Sequence, residues 1–373
     1  MIPGFATPSG TKKYTKSFPQ LDDAGHFRCI NHVPGAGELC LSSIGLGTYL
    51  GEPDSATDNA YLEAITAALR GGVNVLDTAI NYRHQRSERN IGEALQFLIS
   101  DGELSREAVL VCTKAGYLSF DGDLPEDPSD YFTSQYVKSG IAKPEEIVGG
   151  MHCMAPKYLA DQMERSRQNL GLETIDVFYV HNPESQLREL SPTLFRERLK
   201  NAFVMLEDAV KNKLIRYYGV ASWSAFRIAE QQPAYMSVSA VVEIAREAGG
   251  TDHHMRFLQA PFNLSMPELA AAKNQKVEGR HVSAAEAARH HGIALIGSAA
   301  LSQGQLTEGL PDILKKKLNT QSDAESAIQF ARSAPGLACC LVGMAKREHV
   351  AANLKIASQP TTPKPQWDSL FGA

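Results

Sequence analysis

Asp77, Tyr82, Lys114 and His181 are the residue types needed to move a proton to or from a carbonyl oxygen, and three of them close apolar runs. Asp77 follows Leu76, Lys114 follows Val111, Cys112 and Thr113, and His181 follows Val180; Tyr82 stands just beyond Asp77. A lysine in an apolar setting needs a counter-charge, because burying an ammonium alone is expensive, and Asp77 can supply it. An ammonium beside a phenol stabilises the phenolate. Lys114 is therefore expected to pull Tyr82 below its ordinary value of about 10, making it a proton donor and acceptor near neutral pH. His181 can hydrogen-bond the same oxygen and orient it. Such a set suits hydride addition to C=O, with the protein supplying a proton and a polar cradle and a cofactor supplying the hydride. Singly, each residue has an ordinary reading: the Asp as a turn or helix cap, the Lys or His bonded to backbone carbonyls, the Tyr as surface decoration. Their joint occurrence at consecutive run ends is what points to a site.

The elements that must position them follow a simple rhythm. Short β-branched runs at 43–49, 74–78, 109–114, 175–181, 217–222, 257–261, 294–298 and 339–343 are the predicted strands. Helix-like stretches alternate with them at 58–70, 87–99, 156–170, 195–211, 238–248, 283–290, 323–333 and 349–357. Leu62, Ile65, Ala68 and Leu69 show the helical spacing. Runs apolar on both faces, such as Val109, Leu110, Val111 and Cys112, indicate a parallel sheet covered by helices. Eight units without a composition break predict an α/β chain, a (β/α)₈ TIM barrel, whose C-terminal face would gather the polar strand ends. An open doubly wound sheet is the other topology the alternation permits. Residues 1–25 read as a flexible lead-in, 26–358 as a single barrel and 359–373 as an extended tail. A hairpin at 26–34, ahead of Glu38, would close the barrel floor. Long loops at 115–155 and 264–282, after the third and sixth strands, would build a substrate pocket.

Composition narrows the partners. A net charge of −5 over 373 residues gives no footprint for nucleic acid, although a locally basic pocket can still hold an anion. No apolar run approaches a membrane span, and the first residues lack the apolar core of a signal peptide. Six cysteines without a CxxC or ladder suggest a reduced, cytoplasmic chain. Histidines at 152, 253, 254, 290 and 291 invite a metal, but neighbouring side chains on a strand point to opposite faces and the spaced zinc motifs are missing; none is expected. His152, Cys153 and Met154 are placed instead in the substrate wall. The acidic run at 121–130, with Tyr131, Phe132 and Tyr136, reads as a solvated edge with a closing cap as the alternative. Lys315, Lys316 and Lys317 read as a solvated helix face.

In order and spacing the motifs resemble the aldo-keto reductase superfamily from about residue 42 to 357. They begin with Gly45, Leu46, Gly47 and Thr48, then Asp77, Thr78 and Ala79 with Tyr82, then Ser87 and Glu88 before Ile91 to Leu95. Thr113 and Lys114, Asn169 to Gly171, Ile175 and Asp176, and His181 to Pro183 continue the pattern. Gly219 and Val220, Gln259 with Asn263, Gln303 and Gly304, Gly343, His349 and Val350, and Asn353 and Leu354 complete it. The resemblance implies a barrel that holds NADP(H), with NAD(H) possible, extended and without a glycine-rich dinucleotide fold. It assigns Tyr82 as general acid/base, tuned by Lys114 and Asp77 and aided by His181. It implies cofactor contacts at Gly47, Thr48, Tyr49 and Asp77, and at Ser222, Gln259, Ser298, Leu301, Gln303 and Gly343. Lys346, His349 and Asn353 would take the adenosine phosphate end. The chain departs from the family at Ala221 and Ser222, where a Ser-Asn pair is usual, and at Ser298, where an aromatic ring usually stacks on the nicotinamide. The implied reaction is NADP(H)-dependent interconversion of a small carbonyl compound and its alcohol. The alternatives are an epimerase, isomerase or lyase that retains its cofactor, and a non-catalytic cofactor-binding subunit. Substrate identity and oligomeric state are not encoded in any motif.

Overall fold

A computed structural model gives the structure of residues 1–371. Its strands are β1 (Phe27–Cys29), β2 (Cys40–Ser42), β3 (Ile44–Gly47), β4 (Val75–Asp77), β5 (Leu110–Ala115), β6 (Ile175–His181), β7 (Ile215–Ala221), β8 (Met255–Pro261), β9 (Gln275–Val277), β10 (Arg280–Val282), β11 (Ala294–Ser298) and β12 (Leu337–Gly343). Eight of them pair in parallel and close in the order β11-β12-β3-β4-β5-β6-β7-β8. The fold is the (β/α)₈ barrel, and the open sheet is excluded. Strands β5, β6 and β8 are buried along their whole length, as both faces of a helix-covered parallel sheet must be.

Local chemistry sets the helix ends. Asp54 accepts from the Thr57 amide at 2.8 Å to start the helix Ser55–Arg70. Ser283 and Glu286 cap each other at the start of Ala284–His290, and Gly171, at φ 64°, ends Pro156–Leu170 in the left-handed form that glycine tolerates best.

Strand alternation then decides what faces inward. One buried cluster joins Val75, Cys112, Tyr179, Phe257 and Ile296 with floor residues such as Val33 and Leu39. Two residues further along the same strands stand Asp77, Lys114, His181, Gln259 and Ser298. By the period of two they occupy the uppermost inward layer. The interior is packed so closely that a Cβ on Gly219 would lie 2.0 Å from the Phe257 carbonyl oxygen.

The ends of the chain differ from the sequence expectation. Residues 1–25 form helices Pro8–Lys16 and Pro19–Asp23. Ile2 is buried, and the Ala6 amide donates to Asp176 at 2.6 Å. Sparse apolar side chains hid this docking. The floor hairpin pairs β1 with β2, so its second strand lies beyond the expected 26–34. The same register sets Cys29 opposite Cys40, and these two form a disulfide; the expectation of six reduced cysteines is corrected. Cys112, Cys153, Cys339 and Cys340 are free and buried. The tail is not simply extended: it includes the helix Lys364–Asp368, with Trp367 buried against Phe330. Its last two residues, 372 and 373, lie outside the described residues.

The long loops follow the expected strands, but the expectation that they build the pocket is corrected: of the two, only Tyr117 lines the cleft. Residues 115–155 include the helix Pro128–Phe132, and 264–282 hold the β9–β10 hairpin. The acidic side chains at 121–130 are exposed. The three lysines lie on a helix as expected, Asp312–Leu318, where Lys315 pairs with Asp312 and Asp323. Among the described residues no helix is long and apolar enough to cross a membrane.

Candidate active site

The upper inward layer sets Asp77, Lys114 and His181 beside Tyr82, which the turn after β4 supplies. Lys114 Nζ lies 2.6 Å from Asp77 Oδ2, donates to the Thr78 carbonyl at 2.7 Å, and reaches the Tyr82 hydroxyl at 3.4 Å. The other Asp77 oxygen accepts from Gln259 Nε2 at 2.7 Å. The His181 ring stands edge-on to Tyr82, with 5.9 Å between centroids. Asp77, Tyr82, His181 and Gln259 line a cleft of about 740 Å³, within the ordinary size range of ligand sites.

Burial dominates the electrostatics. It drives His181 well below the ordinary histidine value, helped by the positive charge of Lys114 and by His152, so the imidazole is neutral. Its Nδ1 is buried without a hydrogen-bond partner. Burial also pushes the Asp77 carboxyl up against the pull of Lys114 and Gln259. For Lys114, burial opposes the charge, but Asp77 and Tyr82 more than offset it and hold the ammonium above its ordinary value. The expected acidification of Tyr82 is corrected. Burial raises the phenol, Lys114 lowers it, Asp77 raises it, and the net direction is upward. The sequence reading had the partner right and left out desolvation.

Most residues expected to hold a cofactor line the same cleft. These are Gly47, Thr48, Tyr49, Asp77, Ser222, Gln259 and Ser298, with Leu301, Gln303 and Gly343. His349 and Asn353 also line it and share a face of the helix Arg347–Ala357 at a spacing of four. Lys346, the residue before that helix, is exposed and lies outside the lining. The Ser222 hydroxyl is already engaged: it donates to Glu184 at 2.8 Å and accepts from the Ala225 amide at 2.8 Å. Gln259 has committed its amide N–H to Asp77, which leaves its carbonyl oxygen for a ligand.

His152, Cys153 and Met154 are not brought to the cleft. All three are buried and none is part of its lining, because the incoming chain pairs with its own loop (Cys153 N to Gly116 O, 2.7 Å) behind the cleft. His152 Nε2 instead contacts the His181 carbonyl oxygen at 2.7 Å, while Gln186 Nε2 meets its Nδ1 at 3.0 Å. Among the described residues no group of three or more His, Cys, Asp or Glu could hold a metal. Sequence reasoning missed Tyr117, Asn182 and Trp223 in the cleft wall. Each lies within three residues of a strand-end position already singled out, and Trp223 is an exposed aromatic; extending the strand-end argument by one turn would have found them.

The backbone adds an independent sign. Non-glycine residues with positive φ include Arg83, His84 and Gln85 after Tyr82, Asn182 after His181, and Ala299, Ser302 and Gln303 beyond β11. Such conformations gather where a fold holds functional groups against local preference.

Comparison with known proteins bears on the fold and the family. An uncharacterized oxidoreductase of Bacillus subtilis (strain 168), YqkF, is 22% identical over 329 residues, 87% of this chain and 90% of its own. An NADH-specific methylglyoxal reductase of Escherichia coli (strain K12) is 28% identical over 202 residues, 52% of this chain and 53% of its own. A solved aldo/keto reductase from Klebsiella pneumoniae, in complex with NADP and acetate, shares the fold at a TM-score of 0.59 and 17% identity, covering 90% of this chain and 93% of its own. The model of the aldo/keto reductase family matches residues 43–370, and with barrel and cleft both inside that span, the chain belongs to this family of oxidoreductases.

Proposed function

We propose that the protein interconverts an aldehyde or ketone and its alcohol with NADP(H), using Tyr82 as the group that gives and takes the proton. The observation that carries this reading is the buried Lys114 ammonium, 2.6 Å from Asp77 and 3.4 Å from the Tyr82 hydroxyl, two residues that line a large cleft. A phenol held protonated by burial is a donor at neutral pH, and the ammonium stabilises the phenolate left behind. Neutral His181 offers a hydrogen bond to the same carbonyl oxygen without competing for the proton.

The donor set suits a nicotinamide dinucleotide. Gln259, bonded to Asp77, lines the cleft together with Ser298, His349 and Asn353. Bound there, the cofactor supplies the hydride. Lys346, Arg347 and His349 surround the start of the helix Arg347–Ala357, where backbone N–H groups and basic side chains together favour an anion; this supports NADP(H) over NAD(H). The Klebsiella enzyme holds NADP and the Escherichia coli relative is NADH-specific, so both cofactors belong in the test.

Titration with NADPH and NADH, followed by turnover on a panel of carbonyl compounds with the tighter one, tests the reading. Tyr82→Phe is expected to abolish the chemical step and leave cofactor affinity nearly unchanged. Turnover by Tyr82→Phe at the unaltered rate would refute the assignment. Turnover of a substrate without net change in nicotinamide absorbance would point to internal oxidation and re-reduction instead.

A further inference from the structure

Directly after Tyr82 the backbone enters a conformation that L-residues resist. Arg83, His84 and Gln85 have φ of 48°, 55° and 72°, where Cβ crowds the following carbonyl. No glycine relieves the turn. Side chains and neighbouring loops must over-determine it.

Arg83 holds one side. Its side chain is 1% exposed, and its guanidinium carbon lies 5.2 Å from the centre of the Tyr61 ring. It donates to the Glu52 carbonyl at 2.8 Å, Asn90 Oδ1 at 2.8 Å, the Asp54 carbonyl at 3.2 Å and Asp58 Oδ1 at 2.6 Å. Glu52 and Asp54 belong to the loop that continues from Tyr49 in the cleft wall. Tyr61 adds a stitch of its own, donating to the Leu50 carbonyl at 2.7 Å.

The 115–155 loop holds the other side. The His84 carbonyl accepts from the Gly122 amide at 2.9 Å. Gln85 donates to the Phe120 carbonyl and accepts from Asn169, both at 2.9 Å.

We propose that Arg83 is a positioning residue for proton transfer at Tyr82. Its guanidinium sets the left-handed turn that aims the phenol at Lys114, and it anchors the cleft wall at 49–54 to the same point. The proposal rests on the role given to Tyr82 above. Arginine is needed because a planar fork can reach four acceptors around one buried point, whereas a lysine presents a single ammonium. Glycine would adopt the turn without strain but would leave those acceptors unfilled.

The test compares Arg83→Gly, Arg83→Lys, His84→Gly and Tyr82→Phe. The readouts are kcat per folded enzyme, measured well below the melting temperature, and rescue by added guanidinium chloride at millimolar concentration. Arg83→Gly is expected to lower kcat about 10- to 100-fold, the scale of a misplacement near 1 Å. Guanidinium should restore part of that loss. Arg83→Lys should fall between. His84→Gly, which relieves the same backbone strain and keeps the guanidinium, should change kcat little. If Arg83→Gly turns over at the unaltered rate, or guanidinium restores nothing, the proposal is overturned while an inactive Tyr82→Phe leaves the site reading standing. An active Tyr82→Phe would remove that reading itself, and this proposal with it. Should Arg83→Gly fail to fold, Asp58→Ala removes one acceptor from the partly exposed side. It must then lower kcat for the proposal to survive.

Discussion

Replacing Lys114 by methionine keeps an unbranched stem one atom shorter and removes the charge. The ammonium sits 3.4 Å from the Tyr82 hydroxyl. With an effective dielectric constant near 20, unit charges at that separation attract by about 5 kcal/mol, and that attraction favours the phenolate. Burial already holds the phenol above its ordinary value, so without the ammonium the phenolate becomes harder still to form. The chemical step should slow by about 10²- to 10⁴-fold, the usual worth of a positioned acid. The same change strips Asp77 of its partner at 2.6 Å, and a buried charge left alone costs about 3–5 kcal/mol of stability. The double variant Lys114→Met with Asp77→Asn separates the two effects. It should recover much of the stability in urea unfolding and none of the rate in single-turnover hydride transfer followed by nicotinamide absorbance. If Lys114→Met transfers hydride at the unaltered rate, or if the double variant regains rate along with stability, the phenol does not depend on the ammonium.

Two further outcomes follow from buried groups away from the cleft. Burial lowers His26 to about 3 and His152 to about 4, both below the unfolded value of about 6.5. The unfolded chain therefore binds protons first as the pH falls. The stability these neutral rings contribute is intact above about 6.5, and it declines by about 1.4 kcal/mol per pH unit per histidine down to the folded values. Urea unfolding between those limits should show that slope, and a flat profile would mean the rings are not buried neutral. Thiol titration reads the floor hairpin. The native protein should show no fast-reacting thiol, the denatured protein four, and the denatured and reduced protein six. Six before reduction would show that Cys29 and Cys40 are not joined.

The legibility of each feature follows from where its cause lies. A polar residue ending an apolar run is conspicuous in sequence, and strand alternation carries Asp77, Lys114, His181 and Gln259 into one layer once the barrel closes. The barrel itself was legible because alternation over eight units leaves few ways to cover every strand. By contrast, the docking of residues 1–25 depends on Asp176, which accepts from Ala6, Arg106 and Val111 together. Nothing in the first 25 residues advertises a partner 170 positions away. His152, Cys153 and Met154 were misplaced because a sequence shows that a loop is long and not which way it returns. The turn at 83–85 has no glycine to mark it, so it became visible only as dihedral angles.

The sign of the Tyr82 shift carries the most general lesson. Residue types fix which charges can meet, and Lys114 does meet the phenol. The balance between that attraction and desolvation is a property of the packed barrel, in which Lys114 is 1% exposed. Low dielectric acts in both directions: it raises the cost of each unpaired charge and strengthens each paired one. The enclosure that holds Tyr82 protonated therefore also makes Lys114 effective once the proton has left. A site open to water would have a more acidic tyrosine and a weaker grip on its phenolate, and the proton would gain less from being delivered there.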